Sequence, residues 1–111
     1  MKSDRIRIQH MLDAAREAMG FCAGRSRTHL GADRVLALAL VKSIEIVGEA
    51  ASKVGPELRS RHPEIPWQNI VGMRNRLIHA YFDVDLDRVW DTVTDDLPPL
   101  ADALDALLKN E

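Results

Sequence analysis

The chain has a single cysteine, Cys22, and only five aromatic side chains, among them one tyrosine, Tyr81. One cysteine excludes an intramolecular disulfide, and no Cys/His spacing of a metal site is present. A reducing compartment is expected, with Cys22 beside Phe21 as a small apolar packing residue. Positive charge is not in excess: 15 Lys and Arg face 17 Asp and Glu, a formal net charge of −2. No global field draws nucleic acid to such a chain, so any nucleic-acid binding must come from a local patch. Long apolar runs are missing too. The longest, from Val35 to Val41, is far too short for a membrane span. The segment Met1-Lys2-Ser3-Asp4-Arg5 lacks an apolar signal core, so a cytoplasmic protein with no membrane partner is expected. What remains is an ordinary globular composition in 111 residues, enough for one domain over positions 1–111.

Helical periodicity fills most of the chain. Ile8, Met11, Leu12, Ala15 and Met19 draw one stripe on a helix over about 4–22, capped by Ser3 or Asp4 and ended by Gly20 or Gly24. The polar connection 24–33 carries Arg25, Arg27 and His29, read as an exposed loop or as a phosphate-contacting rim. Asp33 caps a second long helix, about 34–54. Leu36, Leu40, Ile44, Val47, Ala51 and Val54 form one apolar stripe there; Val35, Leu38 and Val41 form another. Two stripes predict a central helix packed on more than one side. Gly48 inside it implies close approach of another backbone. Lys42, Glu45 and Glu49 lie along one edge, either an ion-pair ladder or the lining of a cleft.

Gly55-Pro56 ends that helix, and 55–66 reads as a rigid connector. Pro66 opens a helix from Trp67, whose C-terminal end carries Met73-Arg74-Asn75-Arg76-Leu77-Ile78-His79-Ala80-Tyr81-Phe82. Asp83, Asp85 and Asp87 lack the glycine and glutamate of a calcium loop and read instead as helix-capping acids. Leu86 to Leu108 keeps helical phase, with a kink or split near Pro98-Pro99. No β-hairpin signal is visible. The expected fold is an all-α up-and-down bundle of four to five helices.

The segment 73–82 carries the chemistry. Histidine titrates near cellular pH and suits proton transfer. Arginine stays charged and donates two parallel hydrogen bonds to a phosphate. Together they suit RNA transesterification, in which a base takes the ribose 2′-OH proton and an acid protonates the leaving 5′-oxygen. On a straight helix Arg74 and His79 differ by about 140°. Asn75 shares a face with His79, and Arg74 with Tyr81. Arg74 must therefore bend around the helix edge, or the helix must distort or end near His79. A single histidine must also serve as both base and acid, unless a symmetric dimer supplies a second.

The string Ile65-Pro66-Trp67, then Ile70 to Tyr81, resembles the HepT-like proteins of the HEPN superfamily. Glu45-Ile46-Val47-Gly48-Glu49-Ala50 resembles that family's central helix, and Asp83 to Trp90 with Leu97-Pro98 its last section. The resemblance covers about residues 5–108. It implies an α-helical homodimer and a metal-independent endoribonuclease toxin acting on RNA, needing no cofactor. It further implies a nucleotidyltransferase antitoxin as partner. Arg74 and His79 would be catalytic, Asn75 supporting, and Tyr81 the tyrosine that the antitoxin modifies with AMP. The alternative is a catalytically inactive dimeric HEPN module that binds a partner protein or nucleotide.

Overall fold

A computed structural model describes residues 2–80 and 83–111, without the side chains at positions 2 and 78–80. The described residues form α1 (Lys2–Cys22), α2 (Arg27–Ala32), α3 (Arg34–Ser52), α4 (Pro56–Arg61), α5 (Trp67–Val71) and α6 (Met73–Leu77). Two short strands follow, β1 (Ile78–Ala80) and β2 (Asp83–Val84), then α7 (Leu86–Asp91), a π-helical turn (Thr92–Asp96) and α8 (Leu97–Asn110). The architecture is the expected all-α bundle. Helices α1, α3 and α8 form its centre, with α1 packed against both others.

The core follows the predicted stripes. Ile8, Met11, Leu12 and Ala15 of α1 are buried against Leu40, Ile44, Val47 and Ala51 of α3. Leu97, Leu100, Ala101, Leu104, Leu107 and Leu108 close the core from α8. Each of the larger of these side chains gains roughly 1.5–3 kcal/mol on burial. The second stripe of α3 behaves differently. Val41 is buried, but Val35 is 78% exposed and Leu38 48%. Two-sided packing of α3 is thus only partly achieved within one chain.

Helix ends show which capping assignments hold. Asp33 caps α3, its carboxylate accepting the Leu36 N–H at 3.0 Å, and Asp85 caps α7 through the Arg88 N–H at 3.1 Å. Gly24 takes a φ of +74° just past α1, the left-handed conformation that favours glycine. Asp4 does not cap α1, which already starts at Lys2. Its carboxylate instead accepts the Gly55 N–H at 3.0 Å, tying α1 to the start of α4. Gly55 is correspondingly the N-cap of α4, with Pro56 at its first turn, and the connector holds a helix that its prolines did not advertise. Likewise the polar connection after α1 contains α2. Its Arg25 pairs with Asp33 at 3.1 Å and its Arg27 with Asp87.

The proline pair of α8 is accommodated by widening the helix rather than splitting it. Pro98 and Pro99 have no N–H to donate. The preceding turn relaxes to π geometry, in which the Leu97 N–H reaches back to Thr92 O. Thr92 and Thr94 hydroxyls donate to the carbonyls of Arg88 and Trp90 at 2.7 and 2.9 Å.

Arg61 and His62 hold Glu111 at 3.0 and 2.7 Å. The Arg61 guanidinium first, then the His62 ring, pull the Glu111 carboxyl down to about 2. A lowered folded-state pKa stabilises above the unfolded value and is lost as pH falls through the folded one. The wild type's resistance to urea unfolding should therefore weaken as pH falls from about 4.5 to about 2. Glu111→Gln should show a shallower loss in that window.

Candidate functional site

The segment 73–82 is not one helix. The helix begun at Trp67 breaks at Gly72, whose N–H donates to Gln68 O at 3.1 Å, and resumes as α6. It ends at Leu77. The chain then extends as β1, pairing antiparallel with β2 through Ile78 opposite Val84 and Ala80 opposite Asp83. The Asp85 N–H donates to Leu77 O at 2.6 Å, sealing the helix end. This ribbon overturns the absence of a hairpin signal. Residues 78–84 contain no Asn-Gly or Asp-Gly pair, the usual mark of a short hairpin. The β-branched Ile78 and Val84, which face each other across the strands, nevertheless favour extended backbone. The helix therefore ends before His79, one of the two routes foreseen for bringing Arg74 and His79 together, and the straight-helix phase relation stops at Leu77.

Gly48 positions this segment. A Cβ at Gly48 would lie 3.1 Å from Ile70 O and 3.5 Å from Val71 O. The missing side chain lets the α5–α6 junction rest directly on α3, the close backbone approach expected from the sequence. From the same side, Trp67 Nε1 donates to His62 O at 3.0 Å. Arg59 caps α3 through Ala51 O and Val54 O at 2.7 and 3.0 Å and lies 5.9 Å from the Trp67 ring centroid. No residue pattern advertised these last contacts.

Arg74 points from α6 toward α3, where its Nε donates to Glu45 Oε1 at 2.8 Å. Lys42 stands 3.9 Å from the other Glu45 oxygen, and Lys53 pairs with Glu49 at 3.4 Å. These side chains, with Arg7 and His10 of α1, line an open groove of about 480 Å³. The edge of α3 is thus both an ion-pair ladder and a groove wall. Arg7 and His10 were missed: only the packing of α1 on α3 brings them into one groove with Arg74. Binding Arg74 through Nε leaves its two Nη groups for another acceptor.

Asn75 is exposed on α6, and its N–H donates to Gly72 O at 3.1 Å. Arg76 turns to the opposite side, donating to Asn69 O at 2.9 Å. There it lines a separate cavity with Asp95 and Asp96. His79 has its backbone in β1, immediately after α6; its side chain lies outside the described residues, as does Tyr81. Cys22 is buried, and burial pushes its thiol up, away from thiolate chemistry. Among the described residues no group of three or more His, Cys, Asp or Glu is arranged to hold a metal ion. None of their helices is long and apolar enough to cross a membrane.

Fold and groove define a class: a small helical domain whose Arg-x4-His-x-Tyr segment places Arg74 in a groove rich in basic side chains. The model of the family described as Ribonuclease HepT-like matches residues 11–107, and the chain belongs to that family, within the HEPN superfamily. Over 111 residues, all of this chain and 99% of the relative, it is 35% identical to "Putative RNase TTE0752" of Caldanaerobacter subterraneus subsp. tengcongensis. It is 40% identical to "Probable ribonuclease HepT" of Thermococcus cleftensis over 77 residues, 69% of this chain and 70% of that one. "Putative RNase MJ1380" of Methanocaldococcus jannaschii is 30% identical over 84% of this chain and 85% of its own length. No solved structure matches.

Proposed function

We propose that the protein is a metal-independent endoribonuclease toxin of a toxin–antitoxin system, acting in the cytoplasm as a homodimer. His79 takes the proton of a ribose 2′-OH, and the oxygen attacks the adjacent phosphorus. The 5′-oxygen leaves with a proton from an imidazolium, giving a 2′,3′-cyclic phosphate and a 5′-hydroxyl. Arg74 holds the phosphate through its two Nη groups and stabilises the added negative charge. Asn75 supports the substrate beside them. The observation that carries this reading is the placement of Arg74 in a cation-lined groove, on a helix that ends two residues before His79. The names of the relatives point to the same activity.

The dimer reading is supported by the uncovered stripe of α3. Val35, Leu38 and Ile46 are exposed there, and Ile46 also lines the groove. A second copy packed on this face would cover the apolar residues and bring two Arg74–His79 segments to one cleft. That would supply the second imidazole the chemistry asks for.

Tyr81 is the control point in this reading. A nucleotidyltransferase antitoxin transfers AMP from ATP to its hydroxyl, releasing pyrophosphate and adding bulk and a phosphate that repels RNA. Expression of the wild type should arrest growth of a bacterial host, and co-expression with the cognate nucleotidyltransferase should restore it. Intact mass should then rise by one or more AMP units, and Tyr81→Phe should abolish both mass gain and rescue. An unmodified but rescued toxin would remove the AMP mechanism.

Glu45 acts in the same scheme as a positioning residue, because it fixes Arg74 through Nε. Glu45→Ala should lower kcat roughly ten- to a hundredfold, the scale of a misplaced catalytic group, with little change in KM. Glu45→Gln keeps an acceptor oxygen and should recover much of the loss.

A further inference from the structure

Groove residues on α1 have no part in the scheme above. Arg7 and His10 are three residues apart, so they share one face of the helix. Their neighbours Ile8 and Met11 are fully buried, which fixes that face toward the groove. The two carboxylates of the groove are already engaged: Glu45 by Arg74 and Lys42, Glu49 by Lys53. Arg7 is half-buried, yet no described acid pairs with it. Arg7, Lys42, Lys53 and Arg74 against Glu45 and Glu49 leave the groove two charges positive, in a chain whose net charge is −2. One of the two is Arg7, on the α1 side; the other arises because Arg74 and Lys42 share Glu45.

We infer that Arg7 and His10 form a second phosphate subsite, which takes a backbone phosphate flanking the one at Arg74. The groove is then a track for a single-stranded RNA segment rather than a seat for one phosphodiester. This rests on the ribonuclease reading for the identity of the ligand, but its readout is binding. Grooves that carry single strands combine such cation rows with tolerance of sequence. A short strand also fits an open groove better than a duplex, whose backbone is held at a fixed diameter.

The test uses the full chain and a fluorescent 2′-O-methyl ribo-oligonucleotide of about ten nucleotides, a typical single-strand site length. This probe lacks the 2′-OH and is not cut. Anisotropy titrations across a salt series give the affinity and its salt slope. Each phosphate neutralised contributes about 0.7 to that slope on a single strand. Arg7→Gln should weaken binding about tenfold at low salt and reduce the slope by about 0.7. Adding His10→Asn should weaken it further, and Arg7→Lys should retain the wild-type slope. Arg16→Gln removes the same charge far from the groove, beside Asp105, and should leave the slope unchanged. Circular dichroism of each variant confirms that the helices are intact. If Arg7→Gln behaves as Arg16→Gln does, or if the wild type does not bind the probe, the subsite is overturned. A wild type that binds the probe through Arg7 but cuts no RNA would instead overturn the nuclease reading and leave the subsite standing.

Discussion

His79→Ala should lose RNA cleavage by about 10²–10⁴-fold, the range of a general acid–base group. The protein should remain folded. The backbone of His79 lies in the short ribbon just beyond α6, not in α1, α3 or α8. Arg74→Ala should lose roughly 10²–10³-fold, the scale of removing one preorganised donor from a developing anion. Arg74→Lys should recover only part of this. A lysine cannot both bond Glu45 and present a planar fork to phosphate. Single-turnover cleavage of a labelled RNA by each variant, with melting curves alongside, measures both effects. Wild-type rates in both alanine variants would remove the catalytic assignment.

Gly48→Val should damage fold and site together. Even a Cβ at this position reaches 3.1 Å from Ile70 O, and valine adds two methyl groups against a backbone that cannot rotate away. Overpacking of this kind costs about 1–3 kcal/mol, roughly 5–20 °C in the unfolding midpoint of a domain this size. Because the displaced backbone is the α5–α6 junction, Arg74 should move from Glu45 as well. Cleavage should therefore fall more than the fraction unfolded explains. Gly48→Ala is the control: its close contact is offset by helix propensity of about 1 kcal/mol. Calorimetry and cleavage below the midpoint separate the two effects. A Gly48→Val protein as stable and active as wild type would show that the junction does not rest on α3 as described.

Much of this was legible in the sequence, and the reasons differ by element. The long helices α1, α3 and α8 announced themselves, because a stripe of three-four spacing over fourteen or more residues has no competing explanation. Gly48 was legible for a similar reason: a helix-weakening residue at the centre of a strong helix needs a close neighbour. The short elements were not. Helices α2 and α4 are six residues each, stabilised by packing and caps rather than by their own propensity. The strands β1 and β2 were hidden because the sequence after Leu77 continues an apolar pattern that fits a helix equally well. The exposure of Val35 and Leu38 has another cause. Periodicity reports that a face is apolar but not whether the same chain covers it. At the site, Arg74 was found through its segment, whereas Arg7 and His10 lie more than sixty residues away in sequence. Only the packing of α1 against α3 makes them its neighbours.

Intramolecular attack of the 2′-OH, as proposed for this groove, cuts RNA without a metal ion. The most direct measurement is end analysis of RNA digested by the purified protein in excess EDTA, compared with the same digestion by His79→Ala. Cleavage should be undiminished in EDTA and give fragments ending in 2′,3′-cyclic phosphate with 5′-hydroxyl partners, and these should disappear in the variant. Fragments with 3′-hydroxyl and 5′-phosphate ends, or cleavage that EDTA stops, would contradict this mechanism.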